Sequence, residues 1–124
     1  MTKTDRRAEI GAQGEQLAVE HLTGLGLTIL DRNWRCRYGE LDVVAADEAA
    51  RMVVFVEVKT RTGDGFGGAA AAVTPAKVRR LRRLAGLWLA QSRGGWAAVR
   101  IDVVAIRMGH SRTPQLTHLE AVGS

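Results

Sequence analysis

Two short stretches carry residue types that do chemistry together. In V-F-V-E-V-K-T-R, residues 54–61, Glu57 and Lys59 interrupt an apolar run two positions apart. In G-E-L-D, residues 39–42, Glu40 and Asp42 repeat that spacing. Side chains alternate along a strand, so each pair shares a face. The β-branched runs 41–46 and 52–60 flank D-E-A-A-R and read as a hairpin. A turn centred between Ala49 and Ala50 sets Asp42 opposite Glu57 and Glu40 opposite Lys59, and directly opposed Cβ atoms lie roughly 5 Å apart. A slip of one residue would undo this grouping.

Three carboxylates and one ammonium so placed have a definite chemistry. Close carboxylates repel unless a cation lies between them. Mg²⁺ takes one or two carboxylates and keeps several waters for a phosphate-bearing partner. A lysine beside such an ion positions or helps deprotonate a water, or stabilises charge developing on a phosphate. The parts describe metal-assisted phosphodiester hydrolysis. The plainer alternative is a Glu40–Lys59 cross-strand ion pair, with Asp42 capping the turn after Gly39. E-x-K alone would favour that alternative; G-E-L-D joined to V-E-V-K through a hairpin favours the metal site.

The elements that must position these residues are legible in outline. Over residues 8–25, Ile10, Leu17, Ala18, His21, Leu22 and Leu25 recur at spacings of three, four and seven, the pattern of a helix with one core-facing side. Gly11 and Gly14 fall on or beside that side, where glycine costs about 1 kcal/mol relative to alanine, so close approach by another element is the expected reason. Gly24 and Gly26 stop the helix. A strand is predicted over 27–34, then a basic turn, R-C-R-Y-G, then the hairpin. The run G-D-G-F-G-G, residues 63–68, reads as a mobile loop beside the site, able to wrap a phosphate backbone or simply to connect. Thr74-Pro75 is a helix start, with Thr as N-cap and Pro in the first turn. The second helix, 76 to about 92, sets Val78, Leu81, Leu84, Ala85 and Trp88 on one face. Arg79, Arg80, Arg82 and Arg83 lie mainly on the other, with Lys77 at the boundary. A strand over 99–106 and a weaker one within 116–122 complete the order. The expected fold is α/β, a central mixed sheet flanked by helices in the order α-β-β-β-α-β, as one domain over 1–124 with a core of 8–106 and a tail of 107–124.

Bulk properties permit this and exclude other classes. The chain has 124 residues, 46% hydrophobic and 25% charged, enough for a real core and unlike a disordered segment. Lys and Arg number 18 against 13 Asp and Glu, a formal +5 that suits a polyanion without requiring one. The single cysteine, Cys36, allows no intrachain disulfide and reads as a partly buried thiol. No stretch approaches the roughly 20 apolar residues of a membrane span, and the charged N-terminus leads into an amphipathic pattern with no apolar signal-peptide core. A cytoplasmic protein with no membrane partner is expected.

The ordered motifs G-x-x-G-E (residues 11–15), R-N-W-R (32–35), G-E-L-D, F-V-E-V-K-T-R (55–61) and R-I-D-V-V (100–104) resemble those of the bacterial YraN family, and the helix start from Val73 to Lys77 is similar to it too. The resemblance spans about residues 8–106. That family is grouped with the restriction-endonuclease-like PD-(D/E)XK nucleases, near the archaeal Holliday-junction resolvases. The resemblance implies that Asp42 is the metal-binding aspartate, Glu57 the second acid and Lys59 the catalytic lysine. It implies that Glu15 is the helix glutamate that some resolvase-like members add to the metal. Leu41 stands where the motif's name has proline. The implied activity is a Mg²⁺- or Mn²⁺-dependent endonuclease acting on DNA, including branched or repair and recombination intermediates. A homodimer is compatible, because resolvase-like relatives act as dimers. The alternative is a non-catalytic nucleic-acid-binding or protein-interaction module on the same fold.

Arg61 lies beyond Lys59 on the exposed end of its strand. With Lys77, Arg79, Arg80 and Arg83 it is a candidate for gripping phosphates, although a charged helix face is usually just solvated. Trp34, near Arg32, Arg35 and Arg37, is either a stacking surface for bases or core packing. Asp102 among apolar neighbours needs a partner, Arg100 or a helix residue. His21 reads as a satisfied core histidine, and His110 and His118 as part of a polar tail with no sign of metal binding.

Overall fold

The computed structural model describes residues 2–62, 71, 73–109 and 112–123; the glycine-rich run 63–68 and His110 lie outside the described residues. The elements are α1 (Lys3–Gly24), β1 (Thr28–Cys36), β2 (Gly39–Asp47), β3 (Met52–Thr62), α2 (Pro75–Gln91), β4 (Ala98–Met108) and β5 (Gln115–Leu119). The strands form one sheet in the order β1-β2-β3-β4-β5. β3 and β4 run parallel, joined across α2, and the other neighbours are antiparallel. The result is the mixed α/β arrangement expected, consistent with a restriction-endonuclease-like fold, with β5 closing one edge.

The central strand explains the layering. Val53 and Phe55 of β3 pack towards Leu81 and Leu84 of α2, while Val54 and Val56 pack towards Ala18 and Leu22 of α1. Both faces of β3 are therefore covered, which is why its sequence reads as a near-continuous apolar run. A hydrophobic patch on each helix meets one side of this strand. No helix among the described residues is long and apolar enough to cross a membrane.

Local chemistry sets the helix ends. α1 begins five residues before its apolar pattern does, because Thr2 and Asp5 form a capping box: Thr2 Oγ1 accepts the Asp5 N–H at 3.1 Å and the Asp5 carboxylate takes the Thr2 N–H at 3.2 Å. At the other end Gly26 N–H bonds Thr23 O and Leu27 N–H bonds Leu22 O, a Schellman closure with Gly26 at φ +89°. Leu25, counted with the core-facing residues from its spacing, is instead the C-cap and 55% exposed. Thr74 caps α2, accepting Lys77 N–H at 3.1 Å with proline in the first turn.

Of the two glycines expected to permit close approach, only Gly14 does so. A Cβ there would lie 1.9 Å from Thr60 Oγ1 and 2.9 Å from both Thr60 Cβ and Cγ2. Three atoms of a β-branched side chain cannot all be relieved by one rotation. Gly11 has nothing within 4 Å of its added Cβ. The two substitutions therefore have opposite signs. Gly14→Ala should destabilise the fold by about 1–3 kcal/mol through overpacking. Gly11→Ala should stabilise it by about 0.5–1 kcal/mol through helix propensity. Urea unfolding of both variants measures this, and equal midpoints would remove the Gly14–Thr60 seat as a constraint on α1.

Candidate active site

The hairpin register matches the expected one. Val43 pairs with Val56, Val44 with Phe55 and Asp47 with Met52, the alignment that sets Asp42 at the position opposite Glu57. The ladder between β2 and β3 ends at Val43–Val56, however, while β3 goes on pairing with β4 as far as Thr62–Met108. Glu57 to Thr62 thus form a stretch of β3 with no β2 partner.

A kink shared by β1 and β2 creates this parting. Val43 packs towards α1 and Val44 towards α2, yet Leu41 also packs towards α2. Strict alternation would put Leu41 with Val43. β1 changes face at the matching place: Arg32 reaches α1, whereas Trp34 packs on the α2 side. The residues at the switch are Asn33, with φ +51°, and Asp42, and they are the pair missing from the β1–β2 register. Asp42 consequently presents its side chain along the sheet, where Oδ2 accepts the N–H of Val58 at 2.8 Å. A carboxylate here occupies the place of a ladder carbonyl.

The electrostatics follow from this position. Burial pushes the Asp42 carboxyl up to about 6; the Val58 N–H opposes that, and the nearby Glu57, Glu40 and Glu15 carboxylates add to it. Each of those three has its own counter-charge. Glu57 Oε1 lies 3.3 Å from Lys77 Nζ and 3.6 Å from Arg80 Nη2, both on α2. Glu15 Oε1 lies 3.3 Å from Arg32 and accepts Asn33 Nδ2 at 2.9 Å. Glu40 meets Arg35 Nε at 3.0 Å and not Lys59, so the cross-strand pair of the plainer alternative does not form. Asp42 has no cationic partner among the described residues. The Lys59 ammonium, which strand alternation puts on the face of Glu57, has no carboxylate partner among the described residues.

A divalent ion fits the chemistry of this donor set, because Asp42 carries a carboxylate that its own surroundings do not neutralise. Among the described residues no three His, Cys, Asp or Glu side chains already converge on a point able to hold a metal. The reason is visible: Glu15 and Glu57 are turned to their basic partners.

The remaining candidates are dispersed. Lys77 and Arg80, read as phosphate contacts, spend their charge on Glu57. Arg82 donates to the Gly123 carbonyl. Arg79 is exposed on α2. Arg61 joins Arg7, Ile10, Gly11 and Lys59 in an open groove of ≈ 610 Å³ between α1 and the end of β3. Trp34 is core packing, and the exposed aromatic nearby is Tyr38, at 40%. Asp102 is fully buried and saturated by Arg100 (2.9 Å to each oxygen), the Ala121 N–H at 3.0 Å and His118 Nε2 at 2.7 Å. His118, far from being a loose tail residue, also meets His21 at 3.0 Å. The signal available for it was a buried aspartate one strand from a histidine.

The family model described as "Uncharacterised protein family UPF0102" matches residues 14–106. The chain belongs to UPF0102. This is the YraN family that the motifs resemble. A UPF0102 protein of Mycolicibacterium gilvum is 68% identical over 123 residues, covering 99% of this chain and 100% of the relative. One from Mycolicibacterium vanbaalenii is 70% identical over 122 residues (98% and 99%), and one from Mycobacterium marinum 69% over 121 residues (98% and 99%). The UPF0102 match opens at Gly14, the residue seated on Thr60, and takes in Glu15, Asp42, Glu57, Lys59 and α2.

The displaced carboxyl makes a pH prediction. Asp42 holds its proton to about 6 when folded, against 3.8 when unperturbed. Between those values the folded state binds more protons, so the Asp42 contribution to stability falls as pH rises and the full penalty is present above about 6. Asp42→Asn keeps an oxygen for Val58 N–H without the charge. It should be the more stable protein at neutral pH by up to about 3 kcal/mol, an advantage that disappears as pH falls towards 4. Urea unfolding of the two proteins across that range reads the difference. A gap that does not change with pH would show that ionised Asp42 is not its source.

Proposed function

We propose that this UPF0102 chain is a Mg²⁺- or Mn²⁺-dependent endonuclease that hydrolyses phosphodiester bonds in DNA. The observation that carries the reading is the Asp42 carboxylate set into the parted edge between β2 and β3, without a cation of its own and within electrostatic reach of Glu57. Asp42 and Glu57 are the residues that would hold the ion, with Glu15 a further donor once released from Arg32 and Asn33. Bound there, the ion would supply Lewis acidity towards a phosphate oxygen and a more acidic water.

The chain's own groups supply the rest. Lys59 carries an ammonium with no partner among the described residues, suited to orienting the attacking water and to balancing charge on the phosphorane-like transition state. Lys77 and Arg80 bring two positive charges to Glu57 from α2, and would be open to a DNA phosphate only once Glu57 released them. A DNA strand would approach along the opened edge, where the β2 ladder no longer covers β3 beyond Val56.

One observation favours the second reading, a nucleic-acid-binding module without catalysis: Glu57 already forms a closed network with Lys77 and Arg80. The two separate in one experiment. With Mg²⁺ or Mn²⁺, the chain should nick plasmid, branched or single-stranded DNA. Asp42→Ala and Lys59→Ala should each lower that rate by about 10²–10⁴-fold, the range for a lost charge-stabilising or proton-transferring group. Glu15→Ala should cost less. Cleavage that survives both Asp42→Ala and Lys59→Ala would sink the catalytic assignment. Tight binding in EDTA with no cleavage of any substrate would favour the second reading.

A further inference from the structure

The turn between β1 and β2 carries an arrangement that the acid site does not use. Tyr38 is an exposed aromatic in this turn. The Arg83 guanidinium of α2 lies over its ring, 3.9 Å from the centroid, and the Arg37 guanidinium lies 4.7 Å from the same centroid. Arg37 Nη2 also donates to the Tyr38 hydroxyl at 2.5 Å. Neither guanidinium has a carboxylate partner among the described residues, whereas Arg32, Arg35, Arg80 and Arg100 all do.

Two like charges gathered on one ring is a costly arrangement unless an anion is meant to complete it. The ring attracts each guanidinium through its π-face and leaves their outward N–H edges available. Those edges match phosphate oxygens in a bidentate way. The location matters as much as the chemistry. Arg83 follows Arg80 by one turn of α2, about 4.5 Å along the axis, and Arg80 touches Glu57. Gly39, which begins β2 beside Tyr38, would contact Leu84 of α2 at 3.4 Å with an added Cβ, so the turn is seated on this part of the helix.

We infer that Tyr38, Arg37 and Arg83 form a preorganised clamp for the phosphate backbone of a nucleic-acid strand, one turn of α2 beyond the Arg80 that touches Glu57. The inference rests on the nuclease reading only for the direction in which the strand runs; the clamp itself binds phosphate with or without catalysis. Tyr38 has the particular role of holding two cations in place without contributing charge. It is a positioning residue.

The test uses the full chain in EDTA, where cleavage is silent, and reads fluorescence anisotropy of short labelled single-stranded and duplex DNA at several salt concentrations. Arg37→Gln and Arg83→Gln should each weaken binding and lower the slope of log K against log salt by about 0.7–0.9. Tyr38→Leu changes no charge, so it should weaken binding by about 3- to 10-fold while leaving that slope nearly unchanged. Tyr38→Phe, which keeps the ring, should recover most of the loss. All of these side chains are exposed, and matching thermal melts would confirm that each variant is folded. Parental binding by both arginine variants overturns the clamp, even if Asp42→Ala abolishes metal-dependent cleavage. A Tyr38→Leu variant that binds like the parent overturns the role given to the ring. If the parent binds neither DNA at low salt in EDTA, the clamp falls, whereas the nuclease reading falls only if cleavage with Mg²⁺ or Mn²⁺ is absent or survives Asp42→Ala and Lys59→Ala.

Discussion

Asp42 takes the N–H of Val58 at the place where β2 stops pairing with β3, and the rest of the site is arranged around that bond. A buried N–H left without an acceptor costs about 1–3 kcal/mol, so a strand cannot simply leave a sheet. Here the departing strand leaves a side chain behind to satisfy the last donor. The kink at Asn33 and Asp42 makes this possible by turning one residue's side chain into the plane of the sheet. β4 meanwhile supports β3 along its whole length, so the strand end carrying Glu57, Lys59 and Arg61 stays straight although one edge is bare. Opening and rigidity come from different neighbours.

Charge is the second consequence. Four carboxylates are brought within electrostatic reach of one another, and three are balanced locally: Glu57 by α2, Glu15 by the Arg32–Asn33 corner of β1, and Glu40 by Arg35. Asp42 is left with a backbone N–H alone, which lowers its pKa less than burial raises it. Such imbalance is not what a purely structural network would settle on, since exchanging Asp42 for asparagine would keep the hydrogen bond and drop the penalty.

Sequence pattern carried the hairpin register because residue-by-residue alternation and turn length are local properties. Thr74-Pro75 and the Gly24–Gly26 stop were legible for the same reason. What pattern could not carry was the break in alternation. Asn33 at φ +51° costs little for an asparagine and leaves no mark in a hydrophobicity profile, yet it sends Leu41 to the α2 side and Glu40 towards Arg35. The pairing of Glu57 with Lys77 and Arg80 was hidden too, because it depends on how α2 returns across the sheet. Gly14 was legible as a position of close approach, but Gly11, three residues earlier with the same apparent signal, faces open space. Composition identifies a glycine; only packing says which one is needed.

Glu57 connects these observations. Its single side chain lies between the bare edge of β3 and two cations of α2, and it cannot fully serve both. While it is paired with Lys77 and Arg80, those two groups are unavailable to a phosphate and the helix face beyond them offers Arg79 and the Tyr38-bound Arg83. On the proposed function, a Glu57 turned towards a divalent ion beside Asp42 would release Lys77 and Arg80, and two more positive charges would become available to a phosphate. Neutralising the acids and exposing the bases would then be one exchange of partners centred on Glu57.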